Sequence, residues 1–195
     1  MIALLQRDLA PEPDYVERNR AAWQRWAPHY RAAGRRAWAE DEPRWGMWAT
    51  LESEIGLLRE CEVGWNAVEL GCGTGHVCAW LARAGLHPVG IDIAQAQIDN
   101  AFAFQYEFNV RFRLDQANAE LVPYEDASFD LAISEYGASV WCDPHRWLPE
   151  AARLIRPGFA QLVDPRPTAD TRLRRPLEQF ELAISRWAAD AKLAS

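Results

Sequence analysis

The most informative segment of the chain is Ala67-Val68-Glu69-Leu70-Gly71-Cys72-Gly73-Thr74-Gly75, which is followed by Gly90-Ile91-Asp92-Ile93. A short apolar strand runs into a glycine loop, the loop opens a helix, and a second strand ends in a carboxylate. Glycines let the loop turn sharply and let a ligand approach where a Cβ atom would collide. Asp92 can then accept hydrogen bonds from two neighbouring ribose hydroxyls. The segment predicts a βαβ unit that holds an adenine nucleoside at the carboxyl edge of a parallel sheet.

The glycine spacing indicates which nucleoside is bound. In the dinucleotide fingerprint G-x-G-x-x-G the third glycine would fall at position 76, where this chain has His76, and Gly75 comes one residue early. Glu69 also fits poorly beside a pyrophosphate, whereas an acidic side chain suits a ligand that carries an ammonium group. The pattern therefore favours an adenosine joined to an amino acid over a dinucleotide.

Three further segments extend this pattern, at residues 116–124, 128–131 and 154–158. Together with the glycine loop they resemble the class I S-adenosylmethionine-dependent methyltransferases, most closely the small-molecule branch that includes the ubiquinone and menaquinone enzymes. The resemblance covers roughly residues 15–163. It implies S-adenosyl-L-methionine as cofactor, a small-molecule acceptor, and a Rossmann-like three-layer α/β sandwich with a parallel sheet of strand order 3-2-1-4-5. The family's C-terminal β-hairpin has no counterpart in residues 164–195, which predicts an incomplete acceptor wall and weak or absent methyl transfer.

The resemblance also implies which residues contact the cofactor. A helix tyrosine, Tyr30, would face the methionine carboxylate, and Asn118 stands where the family has an aspartate that reads the adenine edge. Asp115 is an alternative for that role. The implied cofactor set is Tyr30, Glu69, Gly71, Cys72, Gly73, Thr74, Gly75, Asp92, Ile93, Asn118 and Ala119.

No catalytic residue is assigned, because a methyl group on a sulfonium is already activated and its transfer depends chiefly on alignment. Loops after strand four would line the acceptor side, and Glu135 could equally bind the cofactor. The candidates there are Glu135, Tyr136, Trp141, Asp143 and His145. No paired ligand spacing indicates a metal.

Strands alternating with helices predict a single domain over residues 1–195. Two cap helices are expected within residues 1–62, at 14–33 and from Pro43 to Leu58. The cofactor-binding core spans 63–163, with strands near 67–70, 88–92, 110–114, 129–134 and 159–163. Its helices are expected near 75–84, 94–107 and 144–155. The divergent tail, 164–195, carries a terminal helix from Pro176.

The composition of the chain bears on its partners and its location in the cell. A net charge of −7 argues against a general nucleic-acid surface, and no apolar run reaches the length of a membrane span. Four cysteines without a regular framework indicate a reduced, cytoplasmic protein. The edge of strand five, if uncovered, could pair two chains as a homodimer.

Three functions remain open at this point. A small-molecule methyltransferase is favoured, and ten tryptophans would suit a planar or apolar acceptor. The alternatives are a non-catalytic S-adenosylmethionine-binding remnant and a nicotinamide-dependent oxidoreductase, which Glu69 and the glycine spacing disfavour.

Overall fold

The computed structural model describes residues 12–157 and the backbone of residues 162–163. Six helices occur in that part of the chain: α1 (Asp14–Trp38), α2 (Glu52–Ile55), α3 (His76–Arg83), α4 (Gln95–Phe108), α5 (Ala138–Trp141) and α6 (Pro144–Leu154). Its strands are β1 (Arg44–Trp45), β2 (Thr50–Leu51), β3 (Asn66–Leu70), β4 (His87–Asp92), β5 (Arg113–Gln116), β6 (Leu131–Ile133) and β7 (Leu162–Val163). Within the described residues no helix is long and apolar enough to cross a membrane.

Five strands form one parallel sheet in the order β5-β4-β3-β6-β7. This is the predicted order 3-2-1-4-5, and the α/β class is confirmed. Val68 of β3 lies between Val89 of β4 and Ala132 of β6, so the glycine loop and the loops after β4 and β6 leave the sheet at one edge.

Both faces of the sheet are covered, as a parallel sheet requires. Val68 and Leu70 of β3 pack in one cluster with Leu154 of α6. Ala67, which points to the opposite face, packs in a second cluster with Val77 of α3. The alternation along β3 therefore gives the predicted three-layer sandwich.

Helix α1 covers the sheet edge that carries the glycine loop. It continues beyond the predicted end at residue 33, and its last turns bury Gly34 and Trp38. Arg31 donates to Asn100 Oδ1 on α4 at 2.6 Å, and Arg35 donates to Glu107 Oε1 at 2.6 Å. Contacts along its whole length keep α1 helical past the predicted boundary.

The predicted second cap helix is wrong. Between Pro43 and Leu58 the chain instead forms the antiparallel hairpin β1–β2 and the single turn α2. Gly46 and Ala49 adopt left-handed backbone angles, with φ of 68° and 51°, and these reverse the chain. Trp45 is fully buried, and its Nε1 donates to Glu52 Oε2 at 2.7 Å. We infer that burial of this tryptophan outweighs the helical spacing of apolar residues on which the prediction rested.

The third strand of the sheet also differs from its prediction. It occupies Arg113–Gln116 rather than residues 110–114. Val110 and Phe112 pack against a cluster of Trp38, Ala79 and Phe104 before the strand begins, so their apolar character reflects that packing. The beginning of the predicted strand at 159–163 and the terminal helix from Pro176 lie outside the described residues.

Candidate cofactor-binding site

The glycine loop takes a conformation that only glycine adopts easily. Gly71, Gly73 and Gly75 have φ of 80°, 53° and 73°. A Cβ atom on Gly71 would lie 2.6 Å from Gly137 Cα, so the protein's own packing requires glycine there. A Cβ atom on Gly73 would meet nothing within 4 Å. The backbone at Gly73 therefore faces open space in which a ligand can approach it.

Asp92 joins the end of β4 to this loop. Its Oδ2 accepts from the Gly73 N–H at 2.8 Å and its Oδ1 from the Ala94 N–H at 2.9 Å. The side chain is buried, and burial raises the pKa of Asp92 to about 6 although these backbone donors oppose the shift. Each carboxylate oxygen retains a lone pair for a ligand hydroxyl.

A cavity of about 460 Å³ opens over this edge of the sheet. This volume is in the range of small-molecule sites. Most of the expected cofactor set lines it, namely Tyr30, Gly71, Cys72, Gly73, Thr74, Asp92, Ile93, Asn118 and Ala119. Three of the acceptor-side candidates line it as well, namely Glu135, Tyr136 and Trp141.

Two members of the expected cofactor set lie behind the cavity wall. Glu69 is only 1% exposed and its Oε2 accepts from the Cys78 N–H at 3.0 Å, which ties β3 to the first turn of α3. Burial raises the pKa of Glu69 to about 7. Gly75 is the left-handed residue that precedes α3, and a Cβ atom there would lie 3.1 Å from Ala101 Cβ. Both shape the loop without lining the cavity.

Three other candidates have surface roles. Asp143 Oδ1 accepts from the His145 N–H at 2.9 Å and so caps α6, which leaves His145 exposed on the first turn. Asp115 accepts from Arg113 and Tyr124. None of the three is among the described residues that line the cavity.

Helix α1 forms the roof of the cavity. The buried Nε1 of Trp38 donates to the Thr74 carbonyl at 2.8 Å, and Gly34 lets the helix backbone approach the side chain of Thr74. Further along α1, Trp23 lies 5.1 Å from Tyr30 and 5.2 Å from Trp141 between ring centroids. The roof thus presents aromatic rings to one side of the cavity.

A buried carboxylate closes the wall near the start of α1. Glu120 accepts from the Tyr15 hydroxyl at 2.7 Å, from the Asp143 N–H at 2.9 Å and from Arg146 Nε at 2.7 Å. Nearby, Asn118 Oδ1 accepts from the Glu120 N–H at 3.0 Å. This bond occupies one lone pair of Asn118 Oδ1, the atom that the resemblance assigns to recognition of the adenine.

The hairpin β1–β2 forms the wall next to β6. Glu135 Oε1 accepts from the Gly46 N–H at 2.9 Å, and the Tyr136 hydroxyl accepts from the Met47 N–H at 3.0 Å. Glu135 Oε2 lies 3.0 Å from His76 Nε2. Burial lowers the pKa of His76, but the hydrogen bond and charge of Glu135 and the charge of Glu69 outweigh it and raise the pKa overall.

Buried polar atoms without a partner indicate where a ligand is expected. Among the side chains of the described residues three such atoms occur: His76 Nδ1, Gln97 Oε1 and Ser139 Oγ. His76 and Gln97 both line the cavity. Sequence reasoning missed both residues, and it missed the contact of Gly34 and Trp38 with the loop. The only available signal was the position of His76 directly after the glycine loop.

Comparison with known proteins is consistent with this geometry. Residues 68–160 match the model of a family described as a methyltransferase domain. The chain is 33% identical over 137 residues to the ubiquinone biosynthesis O-methyltransferase of Maricaulis maris, a match that covers 69% of this chain and 51% of that protein. It is 28% identical over 151 residues to the uncharacterized methyltransferase YcgJ of Bacillus subtilis, covering 70% of this chain and 60% of that one.

A solved structure shares the fold. The [4+2]-cyclase SpnF superimposes with a TM-score of 0.61 and 19% identity, over 78% of this chain and 61% of SpnF. At that identity the likeness concerns architecture alone. The chain spans between half and three fifths of the length of the two curated relatives.

The parallel sheet, the glycine loop with its partner Asp92, and the family match define one class of protein. Residues 68–160 match a methyltransferase domain, and the described sheet has the parallel strand order of a Rossmann-like fold.

Proposed function

We propose that this protein binds S-adenosyl-L-methionine in the cavity and transfers its methyl group to a small-molecule acceptor. The observation that carries the proposal is the bond between Gly73 and Asp92. It places an open stretch of glycine backbone beside a buried carboxylate in a cavity large enough for a ligand. The name of the Maricaulis maris relative, a small-molecule O-methyltransferase, supports the same acceptor class.

The described residues fit this cofactor. Gly73 leaves space where a Cβ atom would intrude, Asp92 retains lone pairs for the ribose hydroxyls, and Ile93 and Ala119 offer apolar contact for an adenine ring. Tyr30 and the glycine loop are then the residues that contact the methionine portion of the cofactor. The acidic wall, with Glu135 in the lining and Glu69 behind it, favours a ligand that carries positive charge.

When bound, S-adenosylmethionine supplies a methyl group on a positively charged sulfur, which is already activated for displacement. The protein's task is to hold the two reactants in line and to exclude water. We assign exclusion of water to α1 and the hairpin β1–β2, which cover the sheet edge. The rings of Trp23 and Trp141 suit a planar or apolar acceptor, and their faces can stabilise the positive charge of the sulfonium by cation–π contact.

Glu135 and Tyr136 are the proposed contacts to the acceptor. They follow β6, and the next residue, Gly137, lies directly against Gly71 of the loop. His76 is held by Glu135, so this pair can hold or receive a proton when the acceptor is a hydroxyl.

Equilibrium binding and turnover test the proposal together. We expect S-adenosylhomocysteine to bind with micromolar affinity, about −8 kcal/mol, and S-adenosylmethionine to be converted in the presence of a phenolic or similar planar acceptor. His145→Ala, outside the cavity, serves as a control that should retain both properties. Binding without turnover across an acceptor panel would support the non-catalytic alternative instead.

The cellular location, the class of partner and the oligomeric state are also proposals. Four cysteines without a disulfide support a reducing, cytoplasmic setting. The net charge of −7 supports a small-molecule partner over nucleic acid. Because β7 is the last strand of the described sheet, its outer edge is the surface for a homodimer.

A further inference from the structure

Helix α1 is strongly basic in a chain that is acidic as a whole. The segment 18–38 contains six arginines and no aspartate or glutamate, whereas the full chain has a net charge of −7. Positive charge is therefore concentrated in the roof of the cavity. A separation of charge of this kind orients a protein on an anionic partner.

The arginines of α1 fall into two groups. Three of them bond to acidic or amide side chains of the protein itself, namely Arg20, Arg31 and Arg35. The other three are exposed, and their guanidinium groups have no ion pair or hydrogen bond among the described residues; they are Arg18, Arg25 and Arg36. Spacings of seven and eleven residues place this second group on one stripe about 20° wide along the outer face of the helix.

Exposed apolar side chains are concentrated around the mouth of the cavity. Of the ten large ones in the described part of the chain, six lie on α1, on the hairpin β1–β2 or in the segment 136–141: Tyr30, Met47, Trp48, Tyr136, Val140 and Trp141. The Tyr136 hydroxyl accepts from the Met47 N–H, and Trp23 lies between Tyr30 and Trp141, so these six form one rim. A rim of this kind marks an interaction surface.

The shape and composition of this rim favour a fluid surface over a preformed protein pocket. The hairpin protrudes at Met47 and Trp48, whose side chains are 73% and 64% exposed. Tryptophan and tyrosine are enriched where a membrane meets water, and unpaired arginines attract anionic headgroups. The stripe and the rim are continuous, because Arg25 adjoins Trp26, whose ring lies 6.1 Å from that of Trp141.

We propose that the outer face of α1 and the rim of the cavity form a docking surface for a bilayer that contains anionic lipids. The arginine stripe contacts the headgroups, and the tip of the hairpin enters the interface. The contact is peripheral, since no described helix is long and apolar enough to span a membrane. Docking turns the mouth of the cavity toward the bilayer, and it does not depend on which cofactor is bound.

Sedimentation with vesicles tests the proposal. At low ionic strength we expect the protein to bind vesicles of phosphatidylcholine and phosphatidylglycerol in equal parts and not vesicles of phosphatidylcholine alone. Salt at about 0.5 M should release most of the protein, because screening shortens the reach of the charges to a few ångströms. Soluble glycerol phosphate should not compete, since it lacks the bilayer. Equal binding to both kinds of vesicle, or to neither, contradicts the proposal.

Two substitutions on α1 separate the stripe from the total charge. Arg25→Gln should weaken partitioning to anionic vesicles about fivefold, and the triple variant with Arg18→Gln and Arg36→Gln about 100-fold. Arg35→Gln is the matched control, because it makes the same change of charge at a residue that is bonded to Glu107. Its partitioning should stay within about twofold of wild type. Equal losses in Arg25→Gln and Arg35→Gln would contradict a role for the stripe.

A second pair of variants tests the apolar rim. Trp48→Ser removes the exposed ring at the tip of the hairpin and should weaken partitioning about tenfold. Val63→Ser is the control, because Val63 is 82% exposed but precedes β3 and so lies at the opposite edge of the sheet. An unchanged affinity in Trp48→Ser, or an equal loss in Val63→Ser, would show that this rim does not contact the bilayer.

The outcomes separate this inference from the proposed function. Selective binding of anionic vesicles without binding of S-adenosylhomocysteine contradicts the proposed function and supports the docking surface. Binding of S-adenosylhomocysteine without binding of vesicles contradicts the docking surface alone. Tighter binding of single-stranded RNA than of anionic vesicles, at the same salt concentration, would assign the arginine stripe to a different partner and overturn the inference.

Discussion

Asp92 has two tasks that both depend on its charge. As a carboxylate it accepts from the backbone of Gly73 and of Ala94, and so fixes the loop before any ligand arrives. Its remaining acceptor capacity is available to the proposed ribose hydroxyls. Because burial raises the pKa of Asp92 to about 6, the carboxylate becomes protonated within an accessible pH range.

We therefore predict that affinity for S-adenosylhomocysteine falls as the pH is lowered through 6. A protonated carboxyl group offers weaker acceptors, so binding should weaken about tenfold between pH 7 and pH 5. Calorimetry at several pH values measures the change. Glu69 and His76 also titrate close to the loop, with pKa values raised by burial and by Glu135 respectively.

Asp92→Asn isolates the contribution of Asp92 from that of its neighbours. At pH 7 the variant should lose about 1.5–3 kcal/mol of binding free energy, the worth of a hydrogen bond to a charged group. Its residual affinity should change little between pH 7 and pH 5. A variant that retained the full pH dependence would place the titration on Glu69 or His76 instead.

The sequence predicts the tight glycine loop at Gly71 and Gly73 and the strand-end position of Asp92, because loop geometry and strand ends are local properties of the chain. It does not predict Gln97 or His76. Their importance lies in an unsatisfied atom, which exists only once the tertiary fold has buried the side chain. It predicts His145 as a candidate from its loop, but the cap by Asp143 turns that residue to the surface.

The contact between α1 and the glycine loop joins the roof of the cavity to its floor. A Cβ atom on Gly34 would lie 2.4 Å from Thr74 Oγ1 and 2.6 Å from Thr74 Cβ. Thr74 cannot retreat freely, because its carbonyl accepts from Trp38. The helix must therefore have glycine at this position to lie as close as it does.

We predict that Gly34→Ala destabilises the protein by about 1–3 kcal/mol through overpacking and weakens binding of S-adenosylhomocysteine. Urea unfolding and calorimetry measure the two effects. The sign of the change in the free energy of unfolding distinguishes the two cases, because alanine in an unconstrained helix position stabilises a protein by about 0.5–1 kcal/mol relative to glycine. A stabilised variant would show that α1 does not press on the loop.

The hairpin β1–β2 is the second element whose position matters. Tyr136→Phe removes the acceptor of the Met47 N–H, so the amide of Met47 should exchange with deuterium faster. The Gly46 amide, held by Glu135, is the internal control and should keep its protection. The free energy of unfolding should change by less than about 1 kcal/mol, because the bond is exposed.

Equal acceleration of exchange at both amides would mean that the hairpin opens as one unit and that the two hydrogen bonds do not act separately.

The sequence did not predict this hairpin, because Trp48, Leu51, Ile55 and Leu58 recur at helical spacing. The left-handed turn at Gly46 and Ala49 and the burial of Trp45 depend on contacts with α3 and α2.

The cavity exists because three separate parts of the chain converge on one sheet edge. The sheet provides the loop and Asp92, α1 provides the roof, and the hairpin provides the wall beside Glu135. The alternation of strands and helices after residue 64 was predictable from the sequence pattern, and the strand order 3-2-1-4-5 was implied by the family resemblance. The packing of α1 and the hairpin over the edge was not, because it depends on close contacts such as that of Gly34 with Thr74.

We propose that this cavity binds the methionine nucleoside rather than a dinucleotide. Calorimetric titration of the wild-type protein with S-adenosylhomocysteine and with NAD, under identical conditions, distinguishes the two ligands. We predict a single site of micromolar affinity for S-adenosylhomocysteine and no measurable heat with NAD. Tighter binding of NAD than of S-adenosylhomocysteine would contradict the claim.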